Sequence, residues 1–191
     1  MGVMSDTPAV PALETPRLRL RPWVEADAAA IHTAFGDPET MRFWDSLPAT
    51  NLAETAARIR GSKEVSPQWH AAFAVTLRAD DRVVGMVNYH ARVPLNRRLA
   101  VGWIVATPWR RQGFTREAVS ALLDHCFDTL HTHRIEARIE PGNLASAALA
   151  RQLGFTFEGL MRDWLFVDGQ PRDMQLYALL RPDWKTTAAS S

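Results

Sequence analysis

Residues 103–118 read Trp103-Ile104-Val105-Ala106-Thr107-Pro108-Trp109-Arg110-Arg111-Gln112-Gly113-Phe114-Thr115-Arg116-Glu117-Ala118. An apolar strand breaks at a proline, passes through a cationic turn holding one glycine, and opens directly into a helix. Amides in the first turn of a helix lack intrahelical partners and point outward, where the helix dipole favours an anion. Gly113 lets a ligand approach the backbone closely, while Arg110, Arg111 and Arg116 supply counter-charge. The stretch suits a phosphate; the plain alternative is an ordinary strand-to-helix connection with exposed arginines. Two familiar phosphate motifs are missing: there is neither a Gly-x-x-x-x-Gly-Lys-Ser/Thr loop nor a Gly-x-Gly-x-x-Gly turn.

Upstream, Leu18 and Leu20 alternate with Arg17, Arg19 and Arg21, the pattern of a strand with one wet face. Residues 25–35 read as a helix stopped by Gly36-Asp37-Pro38, and Thr50 is placed to cap a second helix over 51–60 that ends at Gly61. Ala71–Leu77 and Val83–His90 flank a hairpin turn at 79–82, and Leu99–Val105 is a further apolar strand. From 114 to about 130, Ala118, Val119, Leu122, Cys126, Phe127 and Leu130 recur at helical spacing. Then follow a strand at 134–139, a short helix at 144–152, and strands at roughly 155–167 and 172–180 around Asp168-Gly169. The order β, two helices, β-β-β, α, β, α, β-β is that of an α/β (α+β) mixture with hairpins at both ends, not a doubly wound parallel sheet.

The 191 residues fit one domain over 13–184, with aperiodic ends at 1–12 and 185–191 expected to be flexible. Basic residues number 22 and acidic residues 21, so no global field holds nucleic acid or an anionic membrane. Of the 22 basic residues only Lys63 and Lys185 are lysines, a bias that the abundance of alanine marks as compositional. A single cysteine, Cys126, excludes an internal disulfide and a multi-cysteine metal site; on the apolar side of its helix it reads as core. The six histidines show no metal spacing, so no metal is expected. The start lacks the features of a signal peptide and no apolar run spans a bilayer, which gives a cytoplasmic expectation.

Arg110-x-x-Gly113-x-Thr115 resembles the Arg/Gln-x-x-Gly-x-Gly/Ala signature of the GCN5-related N-acetyltransferases, with Thr115 departing from the usual small residue. Gly113-Phe114-Thr115-Arg116-Glu117-Ala118 is similar to the helix opening of the RimJ/RimL-type branch. His133-Arg134-Ile135-Glu136-Ala137, Asn143-x-x-Ser146, Leu153-Gly154-Phe155, Glu158-Gly159-Leu160-x-Arg162 and Tyr177-Ala178-Leu179-Leu180 follow in the branch's order, and Leu18-Arg19-Leu20-Arg21-Pro22 with Asp27 resembles its start.

The resemblance implies a twisted, mixed, mostly antiparallel sheet whose fourth and fifth strands, 99–105 and 134–139, splay to admit acetyl-CoA. Backbone at Ile104 and Val105 would pair with the pantetheine arm, and Arg110, Arg111, Gln112, Gly113, Phe114 and Thr115 would hold the pyrophosphate. Asn143 is either a helix cap or a contact to the arm, and Ser146 is either a first-turn polar residue or the acid that protonates the leaving thiolate. The tyrosine that many members carry is Ala150 here, and the strand glutamate common in the branch is Ala100. The base is left among His90, Asp163 and Asp173, each with an ordinary structural alternative. Phe43 and Trp44 either wall the acceptor cleft or simply pack. The expected activity is direct acetyl transfer to a primary amine, with a protein N-terminal α-amine or a small-molecule amine as acceptor. A non-catalytic acyl-CoA-binding module is the contrasting reading, and the chain would act as a monomer or homodimer.

Overall fold

A computed structural model describes residues 10–188. Residues 1–9 and 189–191, which include most of the first expected flexible end and part of the second, lie outside the described residues. The strands are β1 (Leu13–Glu14), β2 (Leu18–Pro22), β3 (Ala71–Leu77), β4 (Val83–Val93), β5 (Arg98–Val105), β6 (Arg134–Ile139), β7 (Thr156–Val167) and β8 (Gln170–Leu180). The helices are α1 (Ala28–Phe35), α2 (Pro38–Met41), α3 (Leu52–Glu64), α4 (Phe114–Asp124), α5 (Leu144–Gln152) and α6 (Arg181–Ala188).

All eight strands form one sheet in the order β1-β2-β3-β4-β5-β6-β8-β7. Every pairing is antiparallel except that of β5 with β6. That parallel pairing has only the rungs Arg98↔Arg134, Leu99↔Ile135 and Ala100↔Glu136. Beyond them Val101–Val105 stays with β4 and Ala137–Ile139 stays with β8, so the sheet parts down its middle. The splay expected of 99–105 and 134–139 is present; the two-residue β1, absent from the sequence reading, moves the strand count up by one.

Both faces of the sheet are covered, which is why β3 reads as a nearly continuous apolar run. Leu18, Leu20, Phe73, Val75 and Val87 pack beneath Ala118, Val119, Leu122 and Leu123 of α4 and Ala147 and Ala150 of α5. On the other face Ala74, Met86 and Ile104 meet Ile31, Ala34 and Phe35 of α1 and Ile59 of α3. The Leu-Arg-Leu-Arg motif has a second purpose. Arg21 forks onto both oxygens of the buried Asp27 at 2.8 Å each, tying β2 to the entry of α1.

Several boundaries differ from expectation for local reasons. The cap of α3 is Asn51, whose side chain accepts from the Glu54 amide, while Thr50 donates its amide and hydroxyl to the Glu54 carboxylate. Gly61 does not stop that helix, which runs on to Glu64. The helix expected over 114–130 ends as α-helix at Asp124 and widens to a π-turn over His125–Thr129. Residues 181–188 form α6 where a soft tail was expected from 185. The Asp168-Gly169 turn is as read: both residues have positive φ, 51° and 70°, and Val167 pairs with Gln170.

Candidate active site

The turn after β5 is built from backbone. Arg111 and Gly113 take left-handed conformations, at φ 61° and 80°, and α4 starts at Phe114 with no side chain capping it. The first amides of an eleven-residue helix are thus left for a ligand. The expected side-chain roles divide. Arg111 is exposed and free to turn toward an anion, whereas Arg110 is folded inward. Arg110 donates Nη2 to Thr40 Oγ1 at 2.6 Å and Nε to the Val105 carbonyl at 3.3 Å, so it braces the end of β5. Gln112 donates Nε2 to the Pro108 carbonyl at 3.1 Å, and Phe114 is buried. Thr115 sits on the first turn of α4.

Arg17, which sequence reasoning did not single out, lies over this turn. It donates Nε to Glu117 Oε2 at 2.6 Å and Nη1 to the Gln112 carbonyl at 3.0 Å, and its guanidinium carbon stands 4.7 Å from the centre of the Phe114 ring. The Glu-Ala pair of the helix opening therefore has a physical purpose. Glu117 also accepts from the Thr15 hydroxyl at 2.6 Å and the Arg17 amide at 2.9 Å, clamping residues 15–17 to α4. Burial raises its carboxyl pKa, but the bonds from Thr15 and Arg17 outweigh that and hold it below the usual range. Three side chains, with Thr15 and Arg17 about 100 residues from Glu117 in sequence, give no local signal for this clamp.

A cleft of about 450 Å³ opens where β5 and β6 part. Phe43 and Trp44 form one wall, and Asn143 and Ser146 at the start of α5 form another. His90 lies at the bottom with Asn88, two positions away on the same face of β4. Asn143 caps α5 by accepting from the Ser146 amide at 3.1 Å, which leaves its side-chain amide group and the Ser146 hydroxyl available on the cleft wall. Of the sequence-derived candidates, Phe43, Trp44, His90, Asn143 and Ser146 come together here. Asp173 and Asp163 do not line the cleft. Asp173 Oδ1 accepts the Asp163 amide at 2.9 Å and holds a bulge in which β7 residues 162–164 stand opposite Asp173 alone. Ala100 and Ala150, where the branch carries acid–base side chains, are both buried.

The cleft is unusual for unsatisfied polarity. Asn88 Oδ1, His90 Nδ1, His70 Nδ1 and Arg138 Nε are buried without a hydrogen-bond partner, four of the five such side-chain atoms among the described residues, and all four residues line the cleft. Burial lowers the pKa of His70. Burial, then Arg138 and His70, push that of His90 down to about 4, so it is neutral at pH 7. Gly102 lies directly across from Asn88, and a Cβ there would stand 2.7 Å from Asn88 Oδ1, so a larger residue would displace the Asn88 side chain. Cys126 is fully buried in the core, and burial pushes its thiol well above its ordinary pKa, so it is no nucleophile. Among the described residues no group of three or more His, Cys, Asp or Glu side chains could hold a metal, and no helix is long and apolar enough to cross a membrane.

The structure thus joins a split sheet, a polar cleft and an uncapped helix start. Residues 17–156 match the Acetyltransferase (GNAT) domain family, and the chain belongs to it. An uncharacterised N-acetyltransferase of Bacillus licheniformis, p20, is 30% identical over 173 residues, covering 90% of this chain and 97% of its own length. The [ribosomal protein uS5]-alanine N-acetyltransferase of Escherichia coli is 40% identical over 84 residues, 44% of this chain and 43% of that protein. The fold is shared with RimL, a ribosomal L7/L12 alpha-N-protein acetyltransferase solved in complex with coenzyme A. That match has a TM-score of 0.78 at 22% identity and covers 89% of this chain and 98% of that one.

Proposed function

We propose that this acetyltransferase transfers acetyl directly from acetyl-CoA to the α-amine of a peptide terminus or a similar small acceptor. The observation that carries this reading is the continuity of the parted β5–β6 gap with the uncapped start of α4. The inner edges of the parted strands offer strand-like hydrogen bonding to a pantetheine arm, and the amides at Gly113–Thr115 suit its pyrophosphate. Exposed Arg111 adds charge at that end, and Arg17, paired with Glu117, holds the turn in shape. At the other end Asn143 meets the arm beside the reacting centre.

The acceptor follows from the weakness of the available bases. An imidazole with a pKa near 4 is a poor acceptor for a proton held by an ammonium group. The amine must arrive neutral. A peptide α-amine, with a pKa of about 7.7–8.0, is roughly a tenth neutral at pH 7, while a lysine amine near 10.4 is under about 0.1% neutral. The amine nitrogen attacks the thioester carbonyl carbon and the carbon–sulfur bond breaks. Ser146 gives its hydroxyl proton to the departing thiolate and regains one from the acylated nitrogen, directly or through water, leaving an amide and a free thiol. His90 and Asn88 receive the amine's hydrogens at the cleft floor. The names of the uS5 and L7/L12 enzymes favour the same acceptor class.

Free-thiol release from acetyl-CoA tests the reading with two matched peptides, one with a free terminus and an acetylated lysine, the other with a blocked terminus and a free lysine. Faster release with the free terminus at pH 7 is expected. Faster acetylation of the lysine peptide overturns the acceptor assignment, and absence of release with every amine overturns transfer altogether.

A further inference from the structure

The cleft contains a cation that the reaction does not need. Arg138 is the single Lys or Arg among the residues lining it. Its charge is under-neutralised: Nη2 lies 3.2 Å from Glu136 Oε2, but the same carboxylate also takes Arg134 Nε at 3.0 Å and lies 3.8 Å from Arg98. Arg138 Nε is buried with no partner. Trp164 fixes the guanidinium, its ring centre 4.9 Å from Cζ. Trp164 reaches that position because the bulge held by Asp173 carries it there. Of the two carboxylates on the cleft wall, Glu140 accepts from Arg172 at 3.1 Å, and the other, Asp45, is exposed.

We infer that Arg138, packed against Trp164, is the specificity-determining residue that reads an oxygen acceptor beside the reacting amine, either the first peptide carbonyl or an amino-acid carboxylate. The inference rests on the acetyltransferase reading above. An α-amino acyl unit carries both features the cleft asks for: hydrogens on nitrogen for Asn88 Oδ1 and His90, and an oxygen two bonds beyond the amine-bearing carbon for the guanidinium. Asp173 is a positioning residue that acts through the bulge and Trp164. Both oxygen sources present the same lone pairs to a guanidinium.

The test measures acetylation of three acceptors by the full chain: an alanyl peptide amide, free alanine, and propargylamine. The last is a primary amine without oxygen whose basicity is close to that of a peptide terminus. Arg138→Met is expected to raise the acceptor KM for the oxygen-bearing substrates by about tenfold to a hundredfold relative to propargylamine, the range of a charge-assisted hydrogen bond, with the acetyl-CoA KM unchanged. An effect on the peptide amide identifies the carbonyl, and an effect confined to alanine identifies the carboxylate. Asp173→Ala is expected to raise the same KM, and Asp173→Asn, whose amide oxygen still accepts from Asp163, to restore it. Equal losses on all three acceptors, or no change on any, overturn the role of Arg138 while leaving acetyl transfer intact. Absence of turnover by the native chain with every acceptor overturns the acetyltransferase reading and this inference together.

Discussion

Replacing Glu117 with alanine is expected to damage stability and cofactor binding together. The carboxylate is only 16% exposed and accepts three hydrogen bonds, from the Thr15 hydroxyl, the Arg17 amide and the Arg17 guanidinium. A neutral bond of this kind contributes about 0.5–1.5 kcal/mol and a charged one about 1.5–3 kcal/mol. The sum overstates the loss, because Arg17 is half exposed and rehydrates once released. About 3 kcal/mol is the expected destabilisation, which for a chain of this size lowers Tm by roughly 6–12 °C. Arg17 also loses the anchor that keeps it against the Gln112 carbonyl and the Phe114 ring, so the turn loosens. Coenzyme A affinity, read by calorimetry well below the new Tm, is expected to fall several-fold. Glu117→Gln, which keeps an acceptor but not the charge, should lie between the two. A Glu117→Ala protein with Tm within about 2 °C of the native value and unchanged coenzyme A affinity would refute the clamp.

Gly113→Asp puts a carboxylate at the uncapped start of α4 on a residue at φ 80°, and calorimetry should show coenzyme A binding largely lost in a folded protein. Ser146→Ala should lower kcat and kcat/KM together with little change in the acetyl-CoA KM, measured by thiol release; a pure rise in that KM would make Ser146 a contact only. His90, its pKa depressed to about 4 by burial and by Arg138 and His70, contributes stability that is intact above its unfolded pKa of about 6.5. That contribution drains away as pH falls from 6.5 toward 4. Urea unfolding at pH 7 and pH 4.5 should differ by about 2 kcal/mol more in the native protein than in His90→Gln, and equal differences would contradict the burial of the neutral ring.

The parts of the site that were legible in sequence are those written in local chemistry. Gly113, the alternation of Leu18 and Leu20, and the Asp168-Gly169 turn each declare a backbone conformation through the residue itself. Asn143 and Ser146 were legible as one helix start, although only the cap could be derived from spacing. Tertiary contacts hid the rest. Arg110 has the composition of a phosphate ligand, yet Thr40, 70 residues away, turns it into a brace. Asp173 is a base candidate by residue type, yet its carboxylate accepts the Asp163 amide across the strands. The helical period of 114–130 conceals the π-turn, because Leu122, Cys126 and Phe127 are buried at spacings that an α-helix would also give. Arg138 and Trp164 lie 26 positions apart on strands separated by β8, so nothing in the sequence marks them as a pair.

An ordinary open sheet has two margins, and this one has four. β1 and β7 close the outside, while the inner sides of Val101–Val105 and Ala137–Ile139 face each other across a gap with their ladder groups unshared. Such a margin is a template for adding any extended segment, and proteins normally shield theirs with charge, bulges or cover. Here the two inner margins are tied together at one end by the three rungs Arg98↔Arg134, Leu99↔Ile135 and Ala100↔Glu136. On the proposed function, a pantetheine arm laid in the gap would cover both inner margins at once.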